Sequence, residues 1–266
     1  MKKTAFFCLC ISTLISTLMI TRSIAQSGNL ETDRPGQTLT AFTTPKKWMQ
    51  TELGFSKESN RGTQQYIFQY PQLLIKYGLF DNLELRLLSV YGSRVNESVN
   101  NGRSVDVGIS DLQLGAKLKL FKQRKILPHT SLIAHYMFNS MRTSMRDTID
   151  GMHARLAMQH SISSSFTLNY NAGINWPRFG FQHSYLYSFS PRFYFAEKWM
   201  LYAEVFGNIW NGKRPKHNID GGVSFSIDER LKVDASYGRR FGLNHAVNFI
   251  SIGGSFRFIT TNQYGN

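Results

Sequence analysis

Cysteine is nearly absent from this 266-residue chain, which contains only Cys8 and Cys10. Both lie in an apolar run at the N-terminus, and this run has the features of a cleaved export signal. Without it, the chain has no cysteine for a disulfide framework, a thiolate metal site or a nucleophile. An exported protein of this kind must gain its stability from a large core or from a membrane.

The first 25 residues have the three parts of a secretion signal. Lys2 and Lys3 form a basic start, the apolar stretch "AFFCLCISTLISTLMI" follows, and the small residues Ser23 and Ala25 stand two apart at its exit. The apolar stretch is short for a spanning helix and contains several Ser and Thr residues, which disfavours an uncleaved anchor. The pattern therefore predicts a signal peptide over residues 1–25.

Long hydrophobic runs are also lacking after residue 25, where none approaches the roughly 18 residues of a transmembrane helix. No segment there has a convincing helical period. The formal net charge of +14 is compatible with nucleic-acid binding, but export and the lack of a basic helix or known motif argue against it. Lipopolysaccharide phosphates or a channel lumen are better partners for the basic side chains.

Most of the chain alternates apolar and polar residues with period two. The stretch "SDLQLGAKLKLF" is the clearest case, because its leucines share one face and its lysines share the other. Strict alternation is typical of β-strands with one apolar and one polar face. We count about twelve such runs, at residues 46–57, 64–79, 83–92, 106–121, 127–138, 151–160, 163–176, 182–196, 197–209, 217–228, 230–240 and 246–258.

The lengths of the runs and of their connections favour a membrane barrel over a soluble all-β protein. Most runs reach the roughly 9–11 residues that a tilted strand needs to cross a bilayer. Short connections alternate with longer polar ones, such as residues 92–105 and 139–151, as in barrels with short periplasmic turns. A sheet in hydrocarbon must also close, because an edge would leave backbone groups unpaired. The sequence predicts an all-β transmembrane antiparallel up-and-down β-barrel of about 12 strands.

The last predicted strand contains a second signal. "SIGGSFRF" resembles the C-terminal motif that the barrel-assembly machinery reads, through Ser251, Gly253, Phe256 and Phe258. The resemblance implies that this machinery is a partner, beside outer-membrane lipid, lipopolysaccharide and a small-molecule solute. The predicted organisation is a signal peptide (1–25), a periplasmic N-terminal segment (26–45), a transmembrane barrel (46–258) and a C-terminal tail (259–266).

Four stretches together carry a family resemblance: "LETDRPGQT", "YGLFDNLELRL", "GISDLQLGAKLKL" and "VDASYGRRF". Over residues 30–258 the chain resembles the outer-membrane transporter family labelled MetA-pathway of phenol degradation. The resemblance implies a barrel in the outer membrane of a Gram-negative bacterium. It also implies passage of small solutes, with aromatic or hydrophobic compounds as the family analogy, but it does not define a substrate.

Charged residues on the polar faces are the candidate site, because these faces would line the lumen. Mixed charges in a lumen form either a structural network of ion pairs or a lining that selects among solutes. The pore-lining hypothesis names eight residues: Glu52, Glu84, Arg86, Asp111, Lys117, Arg155, Glu204 and Asp234.

The stretch "LETDRPGQT" is the candidate for a plug, formed by Glu31, Asp33 and Arg34. It precedes the first predicted strand, at or inside the periplasmic mouth, and its Pro-Gly pair disfavours regular structure. On this hypothesis its carboxylates pair with basic lumen side chains and brace or occlude a narrow pore. The candidate partners are Arg86, Lys117 and Arg155. The alternative is a solvated linker with a polar turn.

The sequence contains little that indicates catalysis. His129 and Ser131 have the spacing of an outer-membrane phospholipase, but both lie on the polar face, away from lipid. The other histidines are scattered without metal-ligand spacing, and nucleotide-binding motifs are absent, so neither a metal nor a cofactor is predicted. The leading hypothesis is a passive channel or transporter for small solutes. A non-transporting structural or adhesive barrel is the alternative, and a lipid hydrolase is the remote one.

Overall fold

The computed structural model describes residues 30–60, 62–98, 102–139, 149–241 and 247–260. In these ranges each strand pairs antiparallel with its neighbour in the chain, and the first also pairs with the last, so the sheet is a closed barrel. The strands are β1 (Trp48–Asn60), β2 (Gln65–Phe80), β3 (Leu83–Ser98), β4 (Gly102–Phe121), β5 (His129–Met137), β6 (Gly151–Ser161), β7 (Phe166–Trp176), β8 (Ser184–Phe195), β9 (Trp199–Trp210), β10 (Lys216–Ser226), β11 (Leu231–Phe241) and β12 (Val247–Ile259).

The prediction of a twelve-stranded, all-β antiparallel barrel is confirmed. One predicted connection, residues 92–105, is wrong, because β3 continues to Ser98 and β4 begins at Gly102. The alternation of apolar and polar residues indicates a strand only where one face of the strand meets lipid. Where a hairpin continues beyond the bilayer, this alternation is lost although the strand continues. The predicted signal peptide and most of the predicted loop at 139–151 lie outside the described residues.

The two faces of the sheet have opposite chemistry, as period two requires. Leu114 is 54% exposed on the outer face, whereas Lys117 and Asn169 are fully buried on the inner face. Exposed leucine with buried lysine is the reverse of a soluble protein, and it is the arrangement of an outer-membrane barrel. No helix in the described part of the chain is long and apolar enough to cross a membrane.

The barrel has one end with short connections. Strands β2 and β3 are joined there by residues 81–82, and β8 and β9 by 196–198. The start of β1 and the end of β12 meet at the same end, where Trp48 pairs with Ile259. Short turns and paired termini identify this as the periplasmic end.

Residues 30–45, which we call the inner segment, lie within the barrel rather than below it. Leu30, Thr38, Thr40 and Ala41 are each at most 1% exposed. The segment has no regular secondary structure before the bridge at Lys46. Its side chains and main chain fill the periplasmic half of the lumen, so the contacts between the segment and the wall define the site.

Candidate functional site

Six buried charged residues form a cluster where the inner segment meets strands β1 to β4. Three are carboxylates and three are cations, so the charge cluster is neutral as a whole. Lys76 Nζ lies 2.5 Å from Glu52 Oε1, and Arg86 Nη1 lies 2.6 Å from Glu84 Oε1. The members are Asp33, Glu52, Lys76, Glu84, Arg86 and Lys117.

Asp33 is the contribution of the inner segment to the charge cluster. Its carboxylate lies 2.6 Å from Arg86 Nη2, 3.4 Å from Lys117 Nζ and 3.7 Å from Lys76 Nζ. Burial by itself raises the pKa of Asp33, but the charges of Lys117, Arg86 and Lys76 outweigh it and hold the pKa well below its usual range. Asp33 is therefore the counter-charge without which three buried cations face only two carboxylates.

Arg34 extends from the inner segment in another direction, toward β2, β11 and β12. Its guanidinium donates to Asp234 Oδ1 at 2.9 Å, to Ser251 Oγ at 2.9 Å and to Gln72 Oε1 at 3.1 Å. Planar donor geometry suits several acceptors at once. Arg34 thereby links three strands through one side chain.

Two glycines on the inner face make room for Arg34. Gly54 of β1 and Gly253 of β12 are directly paired across the ladder. A Cβ at either position would overlap the Arg34 guanidinium, so both positions require the smallest residue. The two glycines form a slot in the wall. In the sequence, this slot is indicated only by the presence of glycine at polar-face positions of the two strands.

Carboxylates of the wall also accept hydrogen bonds from main-chain N–H groups of the inner segment. Glu52 accepts from the amides of Asp33 and Arg34 at 3.0–3.1 Å. Glu204 accepts from the amides of Gln37 and Thr38. A further such bond joins Glu84 to the amide of Thr44 at 2.6 Å. Buried main-chain donors need partners, and here ionised side chains supply them.

Cationic side chains of the wall satisfy the main-chain carbonyls in the same way. Lys232 Nζ donates to Leu30 O at 2.6 Å, and Arg192 Nη2 donates to Thr38 O at 2.7 Å. Lys117 Nζ donates to the carbonyls of Thr40 and Phe42 at 3.0 and 3.1 Å. The lumen charges therefore serve two purposes, pairing with each other and solvating an irregular chain.

Above the tip of the inner segment, toward the long connections, lies a cavity of about 470 Å³ that we call the vestibule. Its lining is mixed in chemistry. Phe206 and Phe249 contribute aromatic rings 6.0 Å apart, and Leu74, Leu88 and Val90 contribute an aliphatic wall. Charged side chains complete the lining: Arg34, Glu58, Asp111, Asp220 and Arg240.

Two histidines that the sequence left scattered are in contact in the structure. His135 Nδ1 lies 3.0 Å from His153 Nε2, and Arg86 Nε donates to His135 Nε2 at 3.0 Å. His153 Nε2 also lies 2.9 Å from Gln113 Oε1. The pairing of β5 with β6 brings these rings together. The contact could not be predicted because the sequence alone does not define the register between the two strands.

The other predicted site residues occupy less central places. Glu31 is half-buried and accepts from Thr40 Oγ1 at 3.5 Å. Arg155 does not contact a carboxylate of the inner segment as expected, but donates to Gln37 O at 3.5 Å. Asp111 lies in the vestibule and accepts from Gln113 Nε2 at 2.7 Å.

The residues of the remote hydrolase hypothesis have structural partners. Ser131 is fully buried, and its hydroxyl donates to Ala41 O of the inner segment at 2.5 Å. His129 packs its ring against Phe42 and accepts from the amide of Gln123 at 3.2 Å. Within the described ranges, no group of three or more His, Cys, Asp or Glu side chains is arranged to hold a metal ion.

The family model described as "Putative MetA-pathway of phenol degradation" matches residues 32–258. The chain belongs to this family. The match begins inside the inner segment and ends on β12, so it includes the charge cluster and the Arg34 slot. No curated protein is significantly similar to this chain in sequence.

Solved structures support the fold. The COG4313 outer membrane channel from Pseudomonas putida F1 superposes with a TM-score of 0.61 at 13% identity, over 84% of this chain and 99% of that one. The NanC porin gives 0.54 at 9% identity, over 77% and 98% of the two chains. A KdgM porin in complex with disordered oligogalacturonate gives 0.50 at 11% identity, over 78% and 99%. The fold and the family place this member of the family in the outer membrane of a Gram-negative bacterium.

Proposed function

We propose that this protein is a passive channel for small solutes and that the inner segment is its plug. The observation that carries the proposal is the division of the lumen into two halves. The outer half contains the vestibule, and the periplasmic half is filled by a segment held through side chains rather than through strand pairing. A wall that only needed stability would be filled by its own side chains, as in small barrels.

The vestibule supports aromatic or hydrophobic compounds as the solute class. Its volume of about 470 Å³ lies within the range of small-molecule sites. An aromatic pair and an aliphatic wall offer apolar contact, while nearby carboxylates and amides can accept a hydroxyl proton. The family's description names phenol, and a solved structure with the same fold is an outer membrane channel, and both agree with this choice.

Liposome swelling tests the proposal. Proteoliposomes containing the full-length protein are expected to swell in small neutral solutes faster than protein-free liposomes, and slowly compared with an open porin, because the plug narrows the path. Small aromatic alcohols are expected to permeate faster than sugars of equal mass. A barrel that remains sealed to every solute would support the non-transporting structural or adhesive alternative instead. The buried Ser131 gives no support to the lipid hydrolase.

We also propose that the barrel-assembly machinery recognises β12 through Ser251, Gly253, Phe256 and Phe258. The two aromatic rings are stacked on the outer face, with centroids 6.2 Å apart, and their residues are 39% and 41% exposed. Ser251 and Gly253 face the lumen and contact Arg34. This contact with Arg34 by itself accounts for the presence of serine and glycine at these two positions. The outward rings are therefore the better test of recognition.

Replacing Phe258 with alanine is expected to slow insertion into proteoliposomes that contain the machinery, measured by heat-modifiable gel migration. Ile252→Ala is the matched control, since Ile252 is 56% exposed on the same face of the same strand. Insertion into plain lipid is expected to change equally for both variants. An equal delay of both variants with the machinery present would contradict recognition through Phe258.

A further inference from the structure

The wall binds the inner segment largely through atoms that every peptide possesses. Its hydrogen bonds reach main-chain groups from Leu30 O, which accepts from Lys232, to Thr44 N, which donates to Glu84. Asn171 bonds both main-chain groups of Leu39, accepting from its N–H at 2.8 Å and donating to its carbonyl at 3.1 Å. A single side chain thus satisfies both main-chain groups of one residue, as a neighbouring strand does in a sheet.

The side chains of the inner segment contribute less. The hydroxyls of Thr38 and Thr44 have no hydrogen-bond partner, although the amide of each residue is bonded to a wall carboxylate. Only Asp33 and Arg34 form ion pairs with the wall among the segment's described residues. The wall therefore specifies the path of a bent, irregular backbone and one adjacent Asp-Arg pair.

Charge complementarity supports the same conclusion. The carboxylates that reach main-chain amides are buried, with Glu84 at 0% and Glu52 and Glu204 at 1% exposure, and so are Lys117, Arg192 and Lys232, which reach main-chain carbonyls. Buried charges that lose their partners are costly. When the segment leaves, the wall retains donors and acceptors spaced to bind another chain that follows the same bent path.

We propose that the lumen is a binding site for oligopeptides that adopt the bent path of the inner segment, and that a separate peptide with an Asp-Arg pair can occupy it in place of this segment. This inference rests on the proposed function, in which the segment can leave the lumen. The ligand class is set by backbone chemistry and by the two ion-paired side chains. Entry is from the periplasmic end, where the segment itself enters.

Fluorescence anisotropy with labelled peptides tests the inference on the full-length Asp33→Asn protein in detergent micelles. The resident segment is weakened in this variant because its own carboxylate is missing from the charge cluster. The first peptide has the sequence of residues 30–45, "LETDRPGQTLTAFTTP". A second peptide replaces Thr38 and Thr44 with alanine, and a third keeps every side chain but has N-methyl groups on the amides of Arg34, Thr38 and Thr44.

The first two peptides are expected to bind with similar affinity, since the threonine hydroxyls have no partners in the wall. The N-methylated peptide is expected to bind at least about tenfold more weakly, because three hydrogen bonds to charged groups are lost. In planar bilayers the first peptide, added at the periplasmic side, is expected to reduce the conductance of the Asp33→Asn channel.

Two results would overturn the inference. One is equal affinity of the N-methylated and unmodified peptides, which would show that the backbone is not recognised. The other is no binding of any peptide, which would show that the lumen accepts only its tethered segment. Binding is measured here without solute passage, so a sealed barrel in the swelling assay would refute the proposed channel and leave this test unaffected.

Discussion

Replacing Asp33 with asparagine is expected to raise single-channel conductance severalfold and to lower stability. The substitution keeps the shape of the side chain but leaves Lys76, Arg86 and Lys117 facing two carboxylates instead of three. Removing one partner of a buried ion pair costs about 3–5 kcal/mol. We expect the inner segment to leave its site and admit water, because the uncompensated buried charge then becomes hydrated. Conductance in planar bilayers and urea unfolding in lipid vesicles measure the two effects.

The matched control is Glu58→Gln, which makes the same change from carboxylate to amide in a more exposed pair. Glu58 lies 3.3 Å from Arg240, and the two side chains are 30% and 24% exposed. Ion pairs near water contribute little, with a median of about 0–1 kcal/mol. An Asp33→Asn protein that matches Glu58→Gln in conductance and stability would eliminate Asp33 as the anchor of the plug.

The same comparison predicts a pH dependence. Because the pKa of Asp33 is held well below its usual range, its carboxylate remains ionised to lower pH in the folded protein than in the unfolded chain. Its stabilising contribution is therefore complete above the unfolded pKa of about 3.9 and is lost as the pH falls through the folded pKa. The stability difference between wild type and Asp33→Asn is expected to be constant near neutral pH and to shrink in this acid range.

Replacing Gly54 with alanine is expected to displace Arg34. Loss of the Arg34 contacts is then expected to release the inner segment from the lumen, as Asp33→Asn does by loss of the Asp33 contacts. The new methyl group would overlap the guanidinium and approach Gln72 Oε1 to 2.8 Å, so the three nearest atoms all belong to side chains. Arg34 would lose its bonds to Asp234 and Ser251, at a cost on the order of 3 kcal/mol. The intrinsic strand preference of alanine is no worse than that of glycine. A loss of stability would therefore be caused by the overlap of the new methyl group with Arg34.

Gly254→Ala is the control for this variant, with the same substitution one residue from Gly253 but on the outer face. A Cβ there meets Lys232 O at 3.2 Å and Val233 at 3.8 Å, which small shifts of the neighbouring atoms accommodate. Conductance and unfolding midpoints are expected to stay near the wild-type values. If Gly54→Ala also left conductance and the unfolding midpoint unchanged, the proposed role of Arg34 in holding the inner segment to the wall would be refuted.

The strands and the inner face could be predicted because both follow from one periodicity. Lys117 and Glu84 lie on polar positions of alternating runs, and the structure buries both of them. The path of the inner segment could not be predicted in this way. The contact of Glu204 with Gln37 joins residues 167 positions apart, and an irregular chain has no period that could reveal its register against a wall.

The long hairpin of β3 and β4 shows a second limit of prediction from sequence, since strands are present where a connection was predicted. Its strands have 16 and 20 residues, whereas β5 has nine. Composition suggested a loop because Asn, Ser and Gly are common there, yet the ladder continues from Tyr91 paired with Ile109 to Ser98 paired with Gly102. Hydrogen bonds between main chains need no apolar side chains, so strand pairing persists where the hydrophobic signal ends.

That hairpin has a consequence for the outer end of the barrel. At roughly 3.3 Å per residue, strands of this length carry the pair Ser98 and Gly102 past the ends of shorter strands such as β5. The outermost pairs of this ladder therefore lie beyond the residues of the same hairpin that line the vestibule, which are Leu88, Val90 and Asp111. Substitutions at this outer end are therefore expected to leave the contacts of the vestibule and of the inner segment unchanged.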